Sequence, residues 1–243
     1  MAEDASPEYS LLTVQPLYES EGNLDTVFAQ FSQRRYNQHT VDRDVTNIGL
    51  GYRRLLNENT ILAGTNAFFD YDWEYHHQRY GLGGELMWSG MDLRANWYRA
   101  LTETRTVTPD IYERVMDGHD LELSLQVPYL PWARIHGKKF WWDSEATDDV
   151  RGWRTGLEMD LHQNLQVEVG ATDSSAQDLQ FVVQFRFKPA KESRKVALSN
   201  IPIDNTAWQM RDMREHTLDK VRRENKIITE RTVNATVKIA RGS

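Results

Sequence analysis

The sequence contains no cysteine among its 243 residues. Disulfide bonds, thiolate metal sites and a cysteine nucleophile are therefore excluded. No run approaches the roughly 18 apolar residues that a membrane-spanning helix needs. Acidic residues outnumber basic ones by 36 to 29, and this negative balance argues against a nucleic-acid partner. Aromatic residues, by contrast, are abundant, with 8 Trp, 10 Tyr and 8 Phe beside 27% charged residues.

Apolar residues recur at every second position through most of the chain, which is the period of a β-strand. Six runs show it clearly: Tyr80–Trp88, Met91–Trp97, Leu121–Val127, Trp153–Leu161, Leu165–Ala171 and Leu179–Phe187. No charged residue occupies the apolar phase of any run. The opposite phase carries nine charges: Glu85, Asp92, Arg94, Glu122, Arg154, Glu158, Asp160, Glu168 and Arg186. The two faces of these strands therefore meet different surroundings.

Two architectures produce such strands, a soluble β-sandwich and an outer-membrane β-barrel. A charge on the lipid face of a barrel costs roughly 2–4 kcal/mol near the midplane, so an uncharged face suits a barrel. Aromatic residues near strand ends also suit the interfacial girdles of a barrel. These residues are Tyr80, Trp88, Trp97, Trp153 and Phe187. The pattern favours the barrel and leaves the sandwich open.

Eleven strands are predicted, at residues 10–19, 24–37, 44–54, 60–72, 78–88, 91–102, 118–128, 132–142, 150–161, 164–173 and 178–188. Short connections lie at 56–59, 89–90, 128–131 and 162–163. Longer, more polar connections alternate with them, at 37–43, 73–77, 103–117, 143–149 and 172–177. This alternation predicts an antiparallel up-and-down meander with short periplasmic turns and longer external loops.

The chain changes character after Phe187. A polar linker follows at 188–202, and Asp204-Asn205-Thr206 can cap a helix predicted over 206–223. This helix has only a thin apolar stripe and is otherwise charged, so it is not a core helix. It fits either a solvated surface or a water-filled lumen, and residues 227–239 are predicted to be extended.

Three stretches carry a family resemblance: Asn47–Arg53, Leu62–Asp72 and Gln78–Glu85. Shorter similarities occur at 97–99, 129–131, 184–187 and 221–228. Together they resemble the β-domain of intimin and invasin, the inverse autotransporters of Gram-negative outer membranes. The resemblance extends over most of residues 8–230.

The resemblance implies an all-β, antiparallel transmembrane barrel of about twelve strands with a helical linker threading its pore. The barrel would occupy residues 8–189, the linker with its pore helix 190–224, and an extended exit segment 225–243. Only eleven strands are identified, which puts Ser10 on the external side, so the family's first upward strand is expected to be missing before Ser10.

The implied function is that of a non-enzymatic translocator and anchor in the outer membrane of a Gram-negative bacterium. It would export and display a C-terminal adhesin passenger through its own pore and so support cell adhesion. The implied partners are outer-membrane lipid, the passenger or a separate client protein, the barrel-assembly machinery and periplasmic chaperones. The alternative is a plain outer-membrane pore or surface-binding barrel without export activity, and a soluble β-sandwich binding module comes third.

The candidate functional residues are polar groups expected to face the lumen and hold the charged linker, because an unpaired charge away from water is costly. On the strands they are Arg53, Asn66, Arg79, Glu85, Arg94, Glu122, Arg154, Glu158, Glu168 and Arg186. On the linker they are Arg211, Arg214, Glu215, Asp219, Arg222 and Arg223. Ordinary solvation of the lumen is the alternative interpretation of the same residues.

No cofactor and no metal are expected. The glycines at 49–51 and 81–84 are not phosphate loops, because no helix follows either, and they are expected to make room for the threaded segment. Asp70, Asp72 and Glu74 share one face at a strand end and could bind Ca²⁺, but a solvated acidic loop is the preferred interpretation.

Overall fold

The structure is a computed structural model that describes residues 7–189, 195–198, 203–208 and 210–233. Eleven antiparallel strands form one sheet in chain order, with a separate hairpin between its sixth and seventh strands. They are β1 (Tyr9–Glu19), β2 (Asp25–Gln38), β3 (Val41–Leu56), β4 (Ile61–Asp72), β5 (Gln78–Trp88), β6 (Met91–Ala100), β9 (Asp117–Val127), β10 (Leu130–Asp143), β11 (Val150–His162), β12 (Leu165–Ser174) and β13 (Gln177–Phe187). All eleven predicted strands and the antiparallel meander are confirmed.

A second, smaller sheet was not predicted. Its three strands are β7 (Arg105–Thr108), β8 (Ile111–Val115) and β14 (Thr229–Val233), paired in the order β14-β8-β7. The predicted loop at 103–117 therefore contains a hairpin, and the end of the described chain pairs with it.

The apolar phase of the strands faces outward. On β13, Phe181, Phe185 and Phe187 are 80%, 64% and 82% exposed, and no second sheet covers them among the described residues. The opposite phase is buried although it is charged, and Arg43, Arg53 and Arg79 are among the largest fully buried side chains. This inside-out arrangement is that of a membrane β-barrel wall, so the soluble sandwich is wrong.

The connections divide the sheet into two ends. The turn end carries the connections at 20–24, 57–60, 89–90, 128–129 and 163–164. The loop end carries those at 39–40, 73–77, 101–116, 144–149 and 175–176. Two of the predicted loops, 37–43 and 172–177, are wrong. Only His39 and Thr40 join β2 to β3, both with positive φ as in a two-residue hairpin turn, and only Ser175 and Ala176 join β12 to β13.

The main sheet curls around a chain segment. Side chains from eight successive strands, β2 to β6 and β9 to β11, contact the stretch 213–228, as described below. Arg222 and Arg223 are adjacent in this stretch, yet they contact β11 and β4, which are five strand spacings apart. At about 4.8 Å per spacing these strands would lie about 24 Å apart in a flat sheet, beyond the reach of two adjacent side chains. No ladder joins β1 to β13 among the described residues, and both strands run from the loop end to the turn end.

The helix predicted over 206–223 is wrong. Met213–His216 form one 3₁₀ turn, and the rest of the described stretch is not helical. The peptide N–H groups of Val221 and Glu224 bond to strand side chains instead of to carbonyls one helical turn earlier. Among the described residues no helix is both long and apolar enough to cross a membrane.

Candidate functional site

The segment 213–228, hereafter the threaded segment, runs through the lumen enclosed by the curled sheet. At the turn end, the N–H of Asp204 donates to the Tyr129 carbonyl at 2.9 Å, and the N–H of Met213 donates to that of Asn59 at 3.0 Å. At the loop end, the carbonyl of Ile228 accepts from the N–H of Met116 at 2.9 Å. The chain therefore enters at the turn end and leaves at the loop end, where β14 pairs with β8.

Strand side chains bind the backbone of the threaded segment. Arg53 on β3 donates to the carbonyls of Thr217 and Asp219 at 2.8 and 2.6 Å. Three further strand donors act in the same way: Arg79 on the Glu224 carbonyl (2.7 Å), Asn96 on that of Arg222 (3.1 Å) and Asn47 on that of Asn225 (3.1 Å). These bonds satisfy peptide groups that an extended chain away from a sheet would leave unpaired.

The segment's own N–H groups are bound as well. Those of Val221, Glu224 and Ile227 donate to Gln30 (2.8 Å), Tyr98 (2.7 Å) and Tyr36 (3.1 Å). None of these three acceptors was among the candidate residues. Neutral side chains give no charge signal in a sequence, and their inward position becomes visible only once the strand phase is known.

Asp70 is the most heavily engaged carboxylate on the inner face. It accepts from Arg223 of the threaded segment at 2.7 and 2.8 Å and from Arg79 of β5 at 2.8 Å. Asn47 donates to it at 2.7 Å, and the Asp70 side chain is fully buried. The calcium interpretation of this acidic stretch is therefore disfavoured, because guanidinium groups already neutralise the carboxylate, and Asp72 is paired with Arg43 at 2.7 Å.

Arg222 points to the other side of the lumen. It forms ion pairs with Glu122 on β9 and Glu158 on β11, each at 2.5 Å. The same two carboxylates reach strand arginines, with Arg94 at 3.3 Å from Glu122 and Arg186 at 3.5 Å from Glu158. Consecutive residues of the segment thus bind opposite walls, as alternation along an extended chain requires.

Other candidate residues form pairs within the wall. Arg53 contacts Glu85 at 2.6 Å, and Glu168 contacts Arg186 at 3.5 Å. Asn66 is 8% exposed, and a Cβ at Gly83 would come within 2.6 Å of its side chain. The Arg154 side chain is half-buried on the inner face of β11.

The candidate residues of the linker divide into two groups. Arg222 and Arg223 reach the strands as described, and Arg211 binds the Ser89 carbonyl at 2.7 Å and Asp92 at the turn end. Arg214 pairs with Asp212, Asp219 pairs with His216, and Glu215 is exposed.

Two aromatic rings extend the contact surface inside the lumen. Phe28 and Phe68 pack against Val221, and they lie under Arg53 and Arg223 at 4.4 Å from each guanidinium carbon. These rings stand over glycines of the neighbouring strand, and a Cβ at Gly49 or Gly51 would approach them to 2.4 or 2.2 Å. These glycines thus make room for wall aromatics that contact the segment. Gly81, by contrast, lies directly beside the segment. A Cβ added at Gly81 would lie 3.0 Å from Nη2 of Arg223.

The loop end carries a buried ionic cluster that joins the two sheets. Glu113 on β8 accepts from Arg43 at 2.5 Å, from His77 at 3.0 Å and from Arg231 on β14 at 2.7 Å. Burial alone raises the pKa of Glu113, but hydrogen bonds from these three partners outweigh it and lower the pKa from its usual 4.5 to about 2. The exit strand is therefore held by a charge as well as by its backbone ladder.

A possible metal-ligand set lies on the inner face, where atoms of His136, Glu158 and Glu168 come within 4.8 Å of one another. Both carboxylates already face cations. The guanidinium groups of Arg222 and Arg186 reach Glu158, and that of Arg186 also reaches Glu168, which is hydrogen-bonded to the His136 ring. Because these positive charges would repel a metal ion, the set is better described as an ion-pair network.

Comparison with known proteins identifies the family to which this chain is similar. The family model for the inverse autotransporter β-domain matches residues 3–225. Inverse autotransporter adhesin YeeJ of Escherichia coli K12 is 26% identical over 234 residues, covering 89% of this chain and 9% of YeeJ. An attaching and effacing protein homolog from the same strain is 33% identical over 145 residues, covering 58% of this chain and 45% of that protein. The chain thus spans less than half the length of either relative.

A solved structure shares the fold. A chain determined in a study of the in-meso crystallization of membrane proteins superposes with a TM-score of 0.74, covering 92% of each chain at 19% sequence identity. At that identity the similarity concerns the architecture alone.

Proposed function

This chain belongs to the inverse autotransporter β-domain family, and from that premise we propose that it exports a C-terminal passenger through its own lumen and displays it outside the cell. The family comprises outer-membrane translocators of Gram-negative bacteria, and its members are not enzymes. The assignment to the outer membrane agrees with a sheet that exposes its apolar face.

The observation that carries the proposal is the path of the threaded segment. It enters at the turn end and emerges at the loop end in extended form. Outer-membrane barrels have short periplasmic turns and longer external loops, so this path leads from periplasm to exterior. The wall holds the backbone through at least four carbonyls and several N–H groups, which suits a chain that passes through extended.

The proposal assigns residues 8–189 to the membrane wall, 190–224 to the linker and 225–243 to the exit toward a passenger. The predicted pore helix is not part of it, and residues 234–243 lie outside the described residues. We further propose that the passenger is adhesive, by analogy with the relative named as an adhesin. Barrel-assembly machinery and periplasmic chaperones are proposed partners, since a sheet with an apolar outer face needs help to reach the membrane.

A plain pore is the second candidate, and one observation favours it. The inner side chains near β12 and β13 are only half-buried, including Gln180, Gln184 and Arg186, so the threaded segment does not fill the whole lumen. Planar-bilayer conductance before and after deletion of 204–243 separates the two candidates. We expect conductance to rise on deletion, and an unchanged value would show that the segment does not plug the lumen.

Export itself is tested with an epitope added after Ser243 of the full chain in the outer membrane of a Gram-negative host. We expect antibody to label this epitope on intact cells. Two control insertions of the same epitope report which side of the membrane each end of the sheet faces. An insertion in the loop at 144–149 is expected to be labelled on intact cells. An insertion in the turn at 57–60 is expected to be labelled only after permeabilisation. A C-terminal epitope that behaves like the 57–60 insertion would contradict the proposal.

A further inference from the structure

We propose that the triplet Arg222-Arg223-Glu224 sets the register at which the threaded segment stops in the lumen. The three side chains alternate between walls. Arg222 and Glu224 face β9 to β11, where they meet Glu122, Glu158 and Lys138. Arg223 faces β4, where it meets Asp70.

The wall presents a fixed charge pattern to this triplet. On one side two carboxylates, Glu122 and Glu158, are followed by the ammonium of Lys138, 3.4 Å from Glu224. On the other side stands Asp70, whose side chain is fully buried, and the Arg223 side chain that pairs with it is 1% exposed. Each charge of the triplet therefore meets an opposite charge on the wall that it faces. Arg222 and Arg223 meet carboxylates, and Glu224 meets an ammonium group.

A shift of one residue breaks this match in either direction. Toward the loop end, Val221 replaces Arg222 between the two carboxylates, and Arg223 meets Lys138. Toward the turn end, Glu224 meets Asp70. Each arrangement places like charges together or leaves a buried charge without a partner, and both are unfavourable away from water.

A shift of two residues keeps each side chain on its wall, yet it also fails. Toward the loop end, apolar Val221 faces buried Asp70 and Arg222 faces Lys138. Toward the turn end, Glu224 enters the space between Glu122 and Glu158. The observed register is therefore the one among these five that pairs all three charges.

The register in the lumen also determines what emerges at the loop end. In the observed register Thr229 pairs with Val115 and Arg231 with Glu113 across the β14–β8 ladder. A one-residue shift would turn every β14 side chain to the opposite face and remove Arg231 from Glu113. Resting on the proposed export function, the triplet is then the arrest signal that halts the passing chain with the exit strand in place.

The experiment reads the register with disulfides, because the native chain has no cysteine and only an introduced pair can cross-link. Every purified full-length protein carries Val115→Cys and one further cysteine. In one protein this second cysteine replaces Thr229, the native partner of Val115. In the others it replaces a residue that would face position 115 after a shift of one or two residues: Ile227, Ile228, Glu230 or Arg231. We expect the 115–229 pair to dominate in the parent chain.

The variant Arg223→Glu with Glu224→Arg keeps the composition and reverses two charges of the triplet. We expect the 115–229 cross-link to fall about tenfold. Adding Lys138→Glu, which again gives residue 224 a partner of opposite charge on the wall, should raise it. The matched control exchanges an exposed pair of the linker, Asp212→Arg with Arg214→Asp, and should leave the cross-link unchanged.

Heat-modifiable gel mobility identifies the folded protein, and only that fraction is scored. An unchanged 115–229 cross-link in folded Arg223→Glu/Glu224→Arg protein would overturn the proposal, and so would failure of Lys138→Glu to raise it. Because the cross-link is measured on purified protein, this result is independent of epitope display on cells. A failed display experiment therefore overturns export without bearing on the register, and the reverse also holds.

Discussion

The two halves of the inner face differ in how they meet the threaded segment. From β2 to β10 the inner side chains are packed against it, and each of the four apolar clusters joins these strands to a residue of the segment or of its exit: Ile227, Met213, Val221 and Ile228. On β12 and β13 the inner side chains are mostly half-buried and polar, and the Arg186 side chain is 19% exposed. The segment is therefore packed tightly against most of the wall and less tightly on the side of β12 and β13.

This difference indicates where charge matters. On the packed half an ionic group lacks water and depends on its partner, so removal of that partner is costly. On the half-exposed side water can replace a lost partner, and the same change costs little. The comparison can be tested at three places, in order of expected effect.

The largest effect is expected at Asp70. Asp70→Asn leaves the Arg79 and Arg223 guanidiniums without their shared carboxylate, and we expect the free energy of unfolding to fall by about 3–5 kcal/mol. The measurement is denaturant unfolding in detergent, followed by tryptophan fluorescence. Asp160→Asn on the more exposed side is the matched control, because the Asp160 side chain is 24% exposed, and we expect a loss under about 1 kcal/mol. Equal losses of unfolding free energy in the two variants would contradict the proposed difference between the tightly packed and the more exposed sides of the lumen.

The next effect is at the loop end of the packed half, where Glu113 binds Arg43, His77 and Arg231. Because the folded-state pKa of Glu113 is lowered to about 2, its contribution is fully present above the usual pKa of 4.5 and is lost as the pH falls toward 2. This shift corresponds to roughly 3 kcal/mol. We expect spin labels at 110 and 232 to report release of β14 from β8 in that pH window.

Glu113→Gln is the control for the pH effect. It removes the titrating group, so the labels should report a looser exit strand at pH 7 with little further change on acidification. Release that follows the same pH curve in both proteins would assign the effect to another group.

A smaller effect is expected from packing under the aromatic rings. A Cβ at Gly51 would approach the Phe28 ring to 2.2 Å, so Gly51→Ala must displace a ring that contacts the segment, at an expected cost of about 1–3 kcal/mol. Gly84 faces outward on β5, and a Cβ there meets nothing within 4 Å. Gly84→Ala should be nearly neutral in the same unfolding measurement, and similar losses at both positions would mean that the inner packing is not tight.

The wall could be predicted from the sequence because period-two alternation is a local property that also fixes which face each charge occupies. Thus Glu85 and Arg94 could be placed on the inner face. The turn at His39 and Thr40 could not be found in this way, because this pair lacks the glycine and asparagine signature of a two-residue hairpin turn and a β-branched residue such as Thr rarely adopts a positive φ. The strands β7, β8 and β14 are four or five residues long, too short to give a periodic signal.

The threaded segment is the part of the chain where local sequence signals predict the wrong structure. Its sequence from 206 to 223 has reasonable local helix propensity. Tertiary hydrogen bonds override that preference, because Gln30 and Tyr98 accept from its peptide N–H groups and Arg53 donates to its carbonyls. The partners of Arg222 and Arg223 depend on register, which no local pattern contains.

The central claim is that the segment crosses the membrane inside the sheet. It is tested most directly by labelling single cysteines at Asn205, Val221 and Val233 with a membrane-impermeant thiol reagent in outer-membrane cells. The account predicts that 233 is labelled on intact cells, that 205 is labelled only after permeabilisation, and that buried 221 is labelled only after unfolding. Labelling of 205 and 233 from the same side would contradict it.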